Sequence, residues 1–221
     1  MHRSYGWVVV AAGMLLTCIG IGAMLSLAVF LQPIAADTGW SRSGISSAAT
    51  LDFLFMGIAS IAWGMASDRF GPRVVVLVGA ALLGTGLVSA SRASTLTEFQ
   101  VTFGALIGIA VGSFYAPMMA VATSWLEHRR NLAAALVSAG MGMGSMTVSP
   151  IAGWLLGSHD WRTTMFIIGI GALALQLPAA LLVRRPPARP SLPNVSPVPG
   201  GSPEQSLSPG QALRTPQFAV V

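Results

Sequence analysis

Asp52 is the one acidic residue well inside an apolar stretch of this chain. An ionisable group in that setting faces a cavity or another helix and marks a pathway by default, so Asp52 is the candidate carrier of a coupling proton. The alternative reading is solvation by water or by Arg42, since Asp52 lies about two helical turns from the end of its stretch. Catalytic machinery is not written in the remainder. The sequence holds no G-x-S-G nucleophile turn and no H-E-x-x-H metal pair, and its histidines, His2, His128 and His159, sit at the edges of apolar runs. Cys18 is the single cysteine and lies within an apolar run, so neither an intramolecular disulfide nor a cysteine-rich metal site is open to it. The expectation is a non-enzyme without metal or cofactor.

Composition indicates which elements position these residues. A soluble domain carries about a quarter charged residues, whereas this chain has 9% charged residues, 53% hydrophobic ones and a mean hydropathy of +0.71. That is too little charge to dress a water-facing surface. The net charge of +5 does not indicate nucleic acid, because there is no lysine and the arginines fall at the ends of apolar runs rather than on one face. Six stretches, 7–31, 44–67, 74–91, 99–126, 132–158 and 163–183, have the length a helix needs to cross about 30 Å of hydrocarbon. The lipid bilayer is thus the first expected partner. With 25 uncharged residues, the first stretch exceeds the roughly 7 to 15 of a signal peptide's apolar region, and it should stay in the membrane.

The joints QPIAADTGWSRS, SDRFGPR, RASTLTE, EHRRN and HDWR are short and polar, which makes neighbouring helices antiparallel. Counted on alternate sides, Arg3, Arg69, Arg73, Arg129, Arg130, Arg184, Arg185, Arg189 and Arg214 oppose Arg42, Arg92 and Arg162. That asymmetry puts both termini in the cytoplasm. Gly108 and Gly112, like Gly140 and Gly144, lie four apart on one helix face and permit close crossings, and Pro150 is a candidate kink. Residues 186–211 read as a disordered Pro/Ser/Gly-rich cytoplasmic linker, and 212–221, ALRTPQFAVV, as the start of a truncated seventh helix.

The loop GMASDRFGPR, Gly64 to Arg73, resembles the signature that major facilitator transporters carry between their second and third helices. Gly64 lets a neighbouring helix come close, Gly71 permits a tight turn, Pro72 suits the first turn of a helix, and Asp68, Arg69 and Arg73 place charges at a membrane boundary. By this resemblance the loop gates the cytoplasmic side through charge and helix-dipole contacts with the other half of a transporter. A second stretch, FGALIGIAVGSFYAPMMAVATSWLEHRRNLAAALVSAGMGMGS followed by SPIAGWLLGSHDWR, is similar to the monocarboxylate and oxalate/formate branch. YGWVVVAAG and the first joint are similar to bacterial members, and the likeness runs over residues 5–185.

The resemblance implies an all-α membrane protein, the six-transmembrane-helix N-terminal bundle of the major facilitator fold with its 3+3 inverted repeat, and substrate held between this bundle and a second half. The first and fourth helices then line the cavity. Tyr115 is its hydroxyl donor, Pro117 frees a backbone carbonyl one turn earlier, and Ser26 is among the small residues of the first helix. Arg129 and Arg130 in the fourth joint are further gating candidates. The implied function is secondary active transport, by alternating access, of small organic anions such as monocarboxylates, coupled to protons or a counter-anion, in a bacterial inner membrane. Carriers of this branch place the basic residues that hold the carboxylate in their second half, and no arginine or lysine lies inside the six stretches. The chain is therefore expected to be a fragment whose partner is a missing C-terminal half. The alternatives are a half-size unit that works as a homodimer and an inactive remnant that transports nothing.

Overall fold

The structure, a computed structural model, describes residues 2–184, so the expected linker at 186–211 and helix start at 212–221 lie outside the described residues. Six helices are long and apolar enough to cross a membrane: α1 (Tyr5–Thr38), α2 (Arg42–Phe70), α3 (Pro72–Ala90), α4 (Leu96–Trp125), α5 (Arg130–Leu156) and α6 (Trp161–Leu182). No strand occurs among the described residues.

Helix ends follow from local chemistry. α1 runs past the expected end at Leu31 and carries Pro33 inside it, stopping only where Gly39 takes φ +71° and returns its N–H to the Ala35 carbonyl. Ser41 caps α2 by accepting from the Gly44 N–H at 3.1 Å. At the other end of α2, Gly71 takes φ +96° and bonds to the Ser67 carbonyl, and Pro72 opens α3 at a position that needs no amide donor. Thr95 and Glu98 form a reciprocal capping box at the start of α4. Asp160 caps α6 by accepting from Thr163, and that hydrogen bonding holds its carboxyl below the usual carboxylate range.

Neighbours are chosen by glycine. The heaviest contacts run between α1 and α5, α2 and α4, and α3 and α6. A Cβ added at Gly108 of α4 would lie 2.5 Å from the Asp52 carbonyl of α2, and one added at Gly104 or Gly112 would lie 2.9 Å from the Ala48 or the Met56 carbonyl of the same helix. These three glycines lie four apart, so α4 rests directly on the α2 backbone. On α5, Gly140 faces the Met14 carbonyl and Gly144 the Cys18 carbonyl of α1, with Gly22 opposite Gly144. A Cβ added at Gly169 of α6 would lie 3.2 Å from the Gly84 carbonyl of α3. Exchanging the first three helices with the last three turns the α1–α5 pair into α4–α2 and leaves α3–α6 unchanged. A repeated three-helix unit has that pattern.

Both ends are tied by aromatic residues. At the end bearing the N-terminus, the Tyr5 hydroxyl donates to the Leu182 carbonyl and the Trp125 indole to the Arg184 carbonyl, each at 2.8 Å. At the opposite end the Trp161 indole donates to Asp37 at 2.8 Å, and Arg162 donates to the Ser91 and Ala93 carbonyls.

Replacing Gly144 by Ala drives a methyl into the α1 backbone, and such overpacking costs about 1–3 kcal/mol. Gly142→Ala is the control, because a Cβ there meets nothing within 4 Å. Thermal unfolding of the detergent-purified chain should show a lower Tm for Gly144→Ala alone; equal Tm values would mean that α1 and α5 do not cross this closely.

Candidate functional site

Two of the six helices are interrupted. α1 is broken at Ser26, between the helical runs His2–Leu25 and Leu27–Thr38, and the Ser26 hydroxyl donates to the Ala23 carbonyl at 2.6 Å. α4 is wound as a π-helix over Gln100–Ile107, returns to α geometry over Gly108–Gly112, and turns at Ser113 and Phe114 before Tyr115–Trp125. At that turn the Ser113 N–H bonds to the Ala110 carbonyl, three residues back, instead of Ile109. The Ile109 carbonyl is satisfied from another helix, by the Trp63 indole of α2 at 2.8 Å. π-helical segments are rare and are concentrated at functional sites.

Tyr115 follows directly after the turn in α4 and is 39% exposed. No hydrogen bond holds its phenol among the described residues, so the hydroxyl is open to a solute as donor or acceptor. Pro117 is buried one turn from Ser113 and lacks the N–H that would bond to the Ser113 carbonyl. Ser26 is fully buried, with its hydroxyl turned onto its own helix. The structure therefore opens Tyr115 and encloses Ser26.

Asp52 is 0% exposed; the Gly108 backbone N–H of α4 faces its carboxyl, and no hydrogen bond of good geometry reaches either oxygen among the described residues. It sits where α2 passes under Gly108, at the junction of the π-helical and α-helical parts of α4. Arg42 is exposed at the start of α2, about 15 Å away along the axis, and does not solvate the carboxyl. Two polar groups that the sequence reading passed over share this situation. Gln176 of α6 donates to the Leu16 carbonyl at 3.2 Å while its own oxygen is unbonded, and the buried Thr164 hydroxyl has no partner. Their signal is a polar residue inside an apolar run.

In the loop after α2, Asp68, Arg69 and Arg73 are exposed, and the Arg69 guanidinium lies 5.3 Å from the centre of the Phe70 ring. The loop conformation depends on glycine, since φ +96° at Gly71 strains any other residue. Ser67, Asp68 and Pro72 share a hollow of about 340 Å³ with Ala120, Val121 and Ser124 of α4. A Cβ at Gly64 would meet nothing within 4 Å, so the close approach this glycine permits is not made by a helix of this bundle. Arg129 and Arg130 are exposed on the other joint at this end, where residues Glu127–Arg129 form one 3₁₀ turn before α5. Away from the helix ends, where the arginines lie, the described residues of the spans offer a phenol and a buried carboxyl but no arginine or lysine. That interior can hydrogen-bond a small solute or hold a proton, and it carries no cation to neutralise an anion.

Residues 8–221 match the family profile described as Major Facilitator Superfamily. Monocarboxylate transporter 13 of Bos taurus is 29% identical over 182 residues, which is 82% of this chain and 42% of that relative. The oxalate:formate antiporter of Oxalobacter formigenes is 24% identical over 215 residues, 97% of this chain and 50% of that relative. Among solved structures, a bacterial homologue of the human lysosomal transporter Spinster, inward-facing and unoccupied, superposes with a TM-score of 0.73 at 19% identity, over 99% of this chain and 49% of that one. This last likeness concerns the fold alone. The chain spans half the length or less of these relatives.

Proposed function

We infer that this chain, which belongs to the major facilitator superfamily, works as the N-terminal half of an alternating-access carrier of small organic anions. The observation that carries the reading is the helix pairing, α1 with α5, α2 with α4 and α3 with α6, the pattern of one inverted-repeat half. Relatives named for monocarboxylates and for oxalate and formate support small organic anions as the substrate class. Tyr115 is the hydroxyl that meets the substrate, beside the turn in α4. The cation that neutralises the carboxylate comes from the second half.

The second half covers α2 and α5, the least buried of the six spans. Gly57 and Gly64 lie seven apart on one face of α2, and Gly142 lies on α5; an added Cβ at any of them meets nothing within 4 Å. Gly171 of α6 is open too, but it is set among the exposed Ile167, Ile170 and Leu175, a surface suited to lipid chains. Asp68, Arg69 and Arg73, with Arg129 and Arg130, form the gate at the end bearing the N-terminus. The arginine asymmetry supports a cytoplasmic placing of that end in a bacterial inner membrane.

Asp52 carries the coupling proton. A carboxylate enclosed away from water, with only the Gly108 backbone amide facing it, has little to support its charge, and a proton is the smallest partner that removes it.

Labelled small carboxylates should enter proteoliposomes that contain this chain joined to a related second half, and should not enter those containing the chain alone. Saturable uptake by the chain alone would instead establish a working homodimer. In the joined carrier, Asp52→Asn should abolish uptake driven by a pH gradient while exchange of labelled for unlabelled substrate persists; undiminished pH-driven uptake would remove Asp52 from coupling. In a Cys18→Ser background, an impermeant maleimide applied outside intact cells should label Arg92→Cys and spare Arg73→Cys, and the opposite pattern would invert the topology.

A further inference from the structure

Where α3 ends and α6 begins, a hollow of about 510 Å³ is lined by Ser91, Arg92, Arg162, Thr163 and Phe166. Its two charged residues are both arginines. Arg162 is held in place: its Nη1 donates to the Ser91 carbonyl at 3.1 Å and to the Ala93 carbonyl at 2.9 Å, and its guanidinium lies 4.4 Å from the centre of the Trp161 ring. The other donors of that guanidinium, like all those of the exposed Arg92, have no protein acceptor among the described residues. The acids in this region are engaged elsewhere. Asp37 accepts from the Trp161 indole, Glu98 from the Ser94 and Thr95 amides and Asp160 from the Thr163 amide, and none of the three lines the hollow.

We propose that this hollow binds the phosphate headgroup of an anionic phospholipid. Two unneutralised guanidinium groups and the exposed Thr163 recognise a phosphodiester, as charge-assisted donors do. A lipid is favoured over a free phosphate by what continues from the charged rim. Phe166 lies one turn further into the span and is exposed, and Ile167 and Ile170 extend the apolar surface along α6 toward the bilayer centre. Charge at the membrane edge with an apolar track leading inward matches a headgroup and its acyl chain. Arg162, fixed by the end of α3, sets the geometry, and Arg92 supplies a second charge from a separate element. This site lies apart from Tyr115 and Asp52 and requires only that the bundle sits in a bilayer.

The test uses the full chain, purified in detergent and exposed to equimolar phosphatidylglycerol and phosphatidylcholine, with retained lipid counted by native mass spectrometry. Phosphatidylglycerol should be retained preferentially, and Arg92→Ala should weaken that retention about fivefold, the effect of one basic residue at a membrane surface. Thr163→Val should weaken it as well, since the backbone cap on Asp160 is kept. Arg42→Ala, at the same end of the bundle but outside the hollow, should leave retention unchanged. The proposal is overturned by equal retention of the two lipids, by equal losses in Arg92→Ala and Arg42→Ala, or by inorganic phosphate displacing phosphatidylglycerol at equal concentration. That last result would mark a free-anion site.

Discussion

In a bilayer no water stands ready to bond a backbone amide or carbonyl, so each helix must satisfy its own ladder before it meets a neighbour. Nor does the hydrophobic effect pull apolar helices together there, and association depends on van der Waals packing. Two helices gain most when their backbones approach closely, which happens only where side chains vanish. This constraint organises the bundle. Gly104, Gly108 and Gly112 lay α4 on α2, Gly140 and Gly144 lay α5 on α1, and Gly84 and Gly169 bring α3 to α6. The topology of the half is therefore written in the spacing of its glycines more than in its large apolar residues, many of which remain exposed.

The same constraint explains how the interrupted helices survive. Breaking α4 at Ser113 orphans a carbonyl at membrane depth, and Trp63 reaches across from α2 to bond it. Ser113 turns its hydroxyl onto the Ala110 carbonyl at 2.6 Å, as Ser26 does onto Ala23 in α1. A serine that bonds to its own helix three residues back recurs at both breaks, and it leaves no unbonded hydroxyl buried at the interruption. The break in α4 leaves Tyr115 at the start of a new helical segment, with its phenol exposed.

Much of this was legible in the residues and some was not. Runs of uncharged residues announced six spans, and the four-residue spacing of Gly108 with Gly112 and of Gly140 with Gly144 announced close crossings. The sequence did not say which helix each stripe would meet, because every span is apolar and the choice depends on the facing backbone. The end of α1 was misplaced because Gln32 and Pro33 resemble a joint; a proline removes one hydrogen bond, whereas Gly39 with φ +71° ends the helix. The π-helical winding of Gln100–Ile107 has no compositional mark, since a one-residue change in hydrogen-bond register alters no residue type. The sequence marks Asp52 as an acid inside a span, while its full burial, its distance from Arg42 and its place beneath Gly108 belong to the folded chain.

The enclosure of Asp52 and the closeness of α2 to α4 are one fact seen twice. Gly108 lies so near the Asp52 carbonyl that no atom fits between the helices, and the carboxyl is shut off from solvent by the contact that joins them. Eight residues of α4 at this contact, Gln100–Ile107, are already wound with the wider hydrogen-bond register, and α-helical geometry resumes at Gly108. A segment that holds a local register change beside a buried carboxyl is suited to adjust its winding when the charge on that carboxyl changes.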